Sequence, residues 1–147
     1  MEIGHTFPDV RVGQVSGGSA PLHQVLGGKP AVVYFYPKDN TPGCTREAHD
    51  FQRLLPQFQQ AGVSVFGVSV DDAASHQRFS SDCGLQFALL VDEGGALSRA
   101  LGILGERGAS RRTTYLLDGS ARVARVWGNV KVDGHADEVL AAATALP

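Results

Sequence analysis

Cysteine is scarce in this chain, with two residues in 147, alongside one methionine and one tryptophan. Two cysteines, Cys44 and Cys83, cannot build a disulfide scaffold, and neither sits in a Cys-x-x-Cys pair or a Cys/His spacing suited to zinc. Any role they have points to reactivity. An excess of charge is also lacking: charged residues make up 19% and the formal net charge is -2. That leaves no electrostatic footprint for nucleic acid or an anionic membrane as partner, and a small ligand is expected instead. No stretch approaches the ~18 apolar residues of a membrane span. The segment MEIGHTFPDV lacks the basic-then-apolar order of a secretory signal, so a cytoplasmic protein is expected.

What is present suffices for one core. A chain of 147 residues with 43% hydrophobic content can bury roughly two thirds of its unfolded surface. No internal repeat, low-complexity tract or linker divides it, so residues 1–147 read as a single domain, with GQVSGGSAP (13–21) as a flexible turn region.

The run AVVYFY, Ala31 to Tyr36, lies between Pro30 and Pro37 and reads as a buried strand. Beyond the loop PKDNTPG, the residues Phe51, Leu54, Leu55 and Phe58 recur at the spacing of an amphipathic helix, predicted from Pro42 to near Gln60 with Pro56 as a point of kinking. Val63 to Val70 reads as a second strand. A helix capped by Asp71 or Asp72 and ended by Gly84 follows, with Cys83 in its last turn. Leu89–Val91 is a short strand, Gly95–Leu101 a helical turn or two, and TTYLL and ARVARVW form a hairpin about DGS. HADEVLAAATAL closes the chain as a helix. Strands alternating with helices, then a hairpin, predict an α/β fold: a three-layer sandwich with a mixed central sheet flanked by helices.

The chemistry centres on Thr41 to Cys44. A free thiol has a pKa of about 8.5 and is a weak nucleophile at neutral pH, but a helix N-terminus or a nearby cation favours the thiolate. With Thr41 as N-cap, Pro42 falls at the first helical position and Cys44 at the third, beside unpaired N–H groups and the positive end of the helix dipole. Capping geometry alone fits a buried packing cysteine equally well.

The segment YFYPKDNTPGCTREAHDF, Tyr34 to Phe51, resembles the active-site region of peroxiredoxins, above all the bacterioferritin-comigratory or Q-type group. Its key element is Pro-x-x-x-Thr-x-x-Cys, matched by Pro37, Thr41 and Cys44, and the likeness continues through FGVSVDD, FALLVDE, RTTYLLDGSARV and VKVDGHADEVL. The resemblance implies a thioredoxin-like fold and a thiol-dependent peroxidase without metal, haem or flavin. It implies that Cys44 attacks hydrogen peroxide or a small alkyl hydroperoxide, that the Thr41 hydroxyl binds the peroxide and that Pro37 shields the thiol. The family's arginine corresponds to Arg112, with Arg111 predicted on the opposite face, and Glu47 is positioned to orient Arg112 or else to be a solvated first-turn acid. Thioredoxin, glutaredoxin or a low-molecular-weight thiol would act as reductant, and most Q-type relatives are monomers.

The five histidines read as surface or capping residues. His49 occupies the place where many Q-type members carry the resolving cysteine, which closes that route. Other members carry it in the following helix, at a position that aligns with Ser80. Cys83 is three residues further, about 4.5 Å of helical rise, and a bridge needs Cα atoms within about 7 Å. Cys83 therefore reads either as the resolving residue or as helix-end packing, and resolution by an external thiol is favoured over a Cys44–Cys83 disulfide. Two rival readings are a thioredoxin-like disulfide oxidoreductase, which wants the missing Cys-x-x-Cys, and a non-catalytic thioredoxin-fold binding or holdase domain.

Overall fold

The computed structural model describes residues 1–146. Seven strands form one mixed sheet in the order β2-β1-β5-β4-β3-β6-β7. The strands are β1 (Arg11–Gln14), β2 (Ser19–Pro21), β3 (Ala31–Phe35), β4 (Ser64–Ser69), β5 (Ala88–Val91), β6 (Thr113–Leu117) and β7 (Val123–Trp127). The helices are α1 (Leu22–Leu26), α2 (Pro42–Gln60), α3 (Ala73–Cys83), α4 (Ala96–Ala100) and α5 (His135–Thr144). β3, β4 and β5 pair in parallel through α2 and α3, while β6 runs antiparallel to β3 on the other side.

The central strand shows why three layers result. Val32, Tyr34 and Tyr36 pack with Phe51, Leu54, Leu55 and Phe58 of α2 and with Val139 of α5. Ala31, Val33 and Phe35 point the other way, to a cluster with Leu22 and Leu26 of α1 and Leu97 of α4. Successive strand residues face opposite sides, and here both sides are dry, so every residue of β3 is buried. Fully burying Val32, Val33 and Phe35 contributes about 1.5–3 kcal/mol each. Gly67 on β4 is required by this packing, because a Cβ there would lie 2.8 Å from Leu89 and 2.9 Å from the Tyr34 ring.

α2 runs unbroken through Pro56, whose side chain faces solvent. α3 has the predicted caps: the Asp72 carboxylate accepts from the Ser75 N–H at 2.8 Å, and Gly84 closes the helix in the left-handed region. The segment 13–21 corrects the sequence reading. Instead of a flexible turn region it supplies part of β1 and all of β2, and β1 extends the sheet by pairing with β5. Gly17 and Gly18 take the positive φ values that let so short a hairpin reverse.

The sheet has two unequal edges. β2 is three residues ending in Pro21. β7 carries a bulge opposite Leu116 and Leu117 and an outward Arg125 whose guanidinium lies 4.7 Å over the Trp127 ring.

Candidate active site

α2 begins where the sequence places it. Thr41 is the N-cap in extended conformation, Pro42 holds the first helical position and Cys44 the third. The Thr41 hydroxyl does not cap the helix but donates to the Lys38 carbonyl at 3.1 Å. The first-turn amides therefore keep no side-chain partner, which leaves the positive end of α2 directed toward Cys44. Cys44 is 1% exposed.

The antiparallel register that sets Phe35 opposite Thr113 brings the start of β6 beside the β3–α2 turn. Arg112, one residue before β6, spans the gap: Nη2 donates to Cys44 Sγ at 3.3 Å and Nη1 to Glu47 Oε1 at 2.6 Å. Arg111 is exposed. Gly43 leaves room for this approach, since a Cβ at that position would stand 3.3 Å from Arg112 Nη2. Pro37 is half-buried at the end of β3, in the same turn.

Glu47 is 1% exposed, so the solvated alternative does not hold. Its Oε2 is buried without a hydrogen-bond partner. Burial pushes its carboxyl up to about 7, outweighing the charge and hydrogen bond of Arg112. Burial also works against the charge on Arg112, but Glu47 and Cys44 more than compensate and its pKa is raised. The folded protein thus holds a proton on Glu47 that the unfolded chain releases near its ordinary value of 4.5. Folded binding exceeds unfolded binding in that window, so this group makes stability fall as pH rises from 4.5 to about 7. We expect Glu47→Gln to flatten that slope in urea unfolding measured at pH 5, 6, 7 and 8. A slope unchanged in the variant would mean that Glu47 stays ionised throughout.

Cys83 ends α3, half-buried against the same apolar cluster as Cys44, and both cysteines are free thiols. Burial pushes the Cys83 thiol up, with Asp82 and Asp39 adding to the shift.

Two histidines depart from the expected surface role. His135 is buried and bonded to the Thr114 hydroxyl at 2.8 Å, and burial lowers its pKa. His76 is fully buried between the Asp39 carboxylate at 2.7 Å and the Leu90 carbonyl at 2.8 Å. Sequence reasoning misses this pair because its members are 37 residues apart. Asp39, Asp71 and His76 also have ligand atoms within 4.8 Å of one another. Both ring nitrogens of His76 are already engaged, so a proton suits this donor set better than a metal ion.

Comparison with known proteins accords with this geometry. The profile of the AhpC/TSA family matches residues 3–126. The chain is a peroxiredoxin of that family. It is 43% identical to peroxiredoxin Bcp of Xanthomonas campestris pv. campestris, over 89% of this chain and 86% of the relative. With a putative peroxiredoxin bcp of Helicobacter pylori the identity is 39%, over 95% of this chain and 96% of the relative. Among solved structures, the X. campestris bacterioferritin comigratory protein superposes with a TM-score of 0.88 at 39% identity, covering 99% of this chain and 96% of that one. BcpB of Mycobacterium tuberculosis gives 0.92 at 31%, covering 100% and 99%. As a peroxiredoxin the chain is a thiol-dependent peroxidase with the thioredoxin-like fold.

Proposed function

We propose that this peroxiredoxin reduces hydrogen peroxide and small alkyl hydroperoxides through Cys44. The single observation that carries this is the Arg112 fork, which joins Cys44 Sγ at a helix N-terminus to buried Glu47. The Cys44 thiolate attacks one peroxide oxygen; an S–O bond forms, the O–O bond breaks, and the departing oxygen leaves as water or alcohol after taking a proton. A fixed positive charge beside both sulfur and leaving oxygen is worth most when charge moves between them. The Thr41 hydroxyl, at the N-cap of the helix that holds the sulfur, binds the peroxide, and Pro37 limits access of water. Support for alkyl peroxides comes from the X. campestris bacterioferritin comigratory protein, described with an alkyl peroxide reduction activity. The same proposal takes residues 1–147 as one domain, monomeric and cytoplasmic. Purified protein should consume peroxide continuously with dithiothreitol as reductant, and no consumption would favour the rival holdase reading.

The resulting sulfenic acid is resolved by an external thiol: its sulfur attacks Cys44 Sγ, water leaves, and a second thiol reduces the mixed disulfide. Thioredoxin, glutaredoxin or a low-molecular-weight thiol fits that role. One observation favours this over Cys83, the shift of its thiol away from the ionised form, and the family resemblance adds that the resolving position in this helix corresponds to Ser80. After one equivalent of peroxide, wild type and Cys83→Ser should both show Cys44 sulfenic or sulfinic acid by mass spectrometry and turn over equally with dithiothreitol. A dominant intramolecular disulfide in wild type, lost in the variant together with thioredoxin-dependent turnover, makes Cys83 the resolving residue.

A further inference from the structure

The loop from Pro37 to Thr41 is held by one carboxylate. Asp39 is 6% exposed, and its side chain accepts three hydrogen bonds: from the Tyr36 hydroxyl at 2.6 Å, the Ser75 hydroxyl at 2.8 Å and His76 Nδ1 at 2.7 Å. Its own N–H donates to Asp71 Oδ2 at 2.9 Å. The end of β3, the β4–α3 connection and α3 therefore all converge on a single loop residue. The next residue, Asn40, adopts φ 64°, a left-handed conformation that asparagine enters more readily than most non-glycine residues. Thr41 follows directly, its hydroxyl turned to the Lys38 carbonyl of the same loop.

The ring of His76 is charged in this arrangement. Nε2 faces the Leu90 carbonyl, which can only accept, so Nε2 carries a proton; Nδ1 faces an ionised carboxylate and carries another. The groups facing the ring are Asp39 from the β3–α2 loop, Asp71 from the β4–α3 connection, Tyr36 from the end of β3 and the Leu90 carbonyl from β5. Burial opposes the charge, but the Asp39 hydrogen bond and charge prevail and raise the His76 pKa. Burial likewise works against ionised Asp39, and its bonds to His76 and Tyr36 bring its pKa below the usual value.

We propose that Asp39, clamped by the imidazolium of His76, is a positioning residue for peroxide reduction: it fixes the loop 37–41 so that the Thr41 hydroxyl meets the peroxide at Cys44. This rests on the reading of Thr41 and Cys44 as the peroxide site. The pair is complete above the ordinary carboxyl value of 3.8 and below the ordinary imidazole value of 6.5. It is lost on the alkaline side as pH rises through the raised value of His76 and on the acid side as pH falls through the lowered value of Asp39. The peroxide reaction should therefore slow on the alkaline side, on a limb that belongs to His76.

The experiment follows peroxide consumption by stopped flow from pH 5 to 9 in wild type, Asp39→Asn, His76→Gln and Cys44→Ser. Asparagine keeps the shape and can pair with a neutral imidazole, so Asp39→Asn should fold yet react at least ~10-fold more slowly. Its alkaline limb should move to lower pH, because the ring has lost its anion, and the limb should vanish in His76→Gln. A folded Asp39→Asn with wild-type rate overturns the proposal, as does one that is slower with the limb unmoved. Should Asp39→Asn fail to fold, nitrogen-15 spectra of the wild-type His76 ring decide: both nitrogens protonated at pH 6 supports the clamp, a neutral ring overturns it. Full activity in Cys44→Ser would instead sink the peroxide-site reading on which all this stands.

Discussion

Cys44→Ser consumes no peroxide above background with dithiothreitol as donor, an expected loss of at least ~10⁴-fold. A hydroxyl in the first turn of α2 meets the same helix N-terminus and the same Arg112, but an alcohol stays protonated at neutral pH and is a far weaker nucleophile than sulfur. Serine is close in volume, and its hydroxyl inherits the Arg112 donor, so the site at 1% exposure need not reorganise. Intact-mass spectra taken after peroxide should show no added oxygen at residue 44. Retained activity would shift the attack to Cys83, whose thiol burial pushes up.

Arg112→Ala is expected to lower kcat/KM for peroxide by about 10²-fold, the usual loss when one donor aimed at developing charge is removed. The fold should survive. Removing the guanidinium leaves Glu47 buried and without a charge partner, but its carboxyl is already pushed up to about 7, so it takes a proton rather than holding an isolated charge. Arg112→Lys keeps the charge and loses the planar fork that reaches Cys44 from Nη2 and Glu47 from Nη1 at once, so only partial recovery is expected. Arg111→Ala, on the exposed side, should match wild type. The reverse ranking, with Arg111 essential and Arg112 dispensable, would mean that the peroxide meets a different face of the β6 entry.

Much of this site is legible in the sequence because its signals are local. Phe51, Leu54, Leu55 and Phe58 announce α2 by their spacing, Thr41-Pro42 marks its start, and Cys44 follows by position. Arg112 needs more, since 68 residues separate it from Cys44 and only family resemblance links them. What stays hidden is whatever depends on distant pairing or on a side-chain rotamer. β1 and β2 carry only Val12 and Ala20 as fully inward residues, too few to give a period against the glycines between them, and they become strands by pairing with β5 and with each other. The N-cap position of Thr41 follows from its neighbours, yet the turn of its hydroxyl toward Lys38 is a rotamer choice that the residue type does not dictate. Asp39 and His76 each look like ordinary polar residues until the β3–α2 loop and α3 are brought together. Glu47 has two roles open to it by position, and burial alone decides between them.

The two margins of the sheet bear on how this chain behaves when crowded. An open edge strand displays unpaired N–H and C=O groups that invite another chain to add on, and long, flat, apolar edges seed aggregation. β2 offers three residues and stops at a proline that has no N–H to give. β7 is longer, but its bulge breaks the regular ladder spacing, and Arg125 puts a charge along the rim. Both margins are poor templates for strand addition, which disfavours polymerising sheet to sheet.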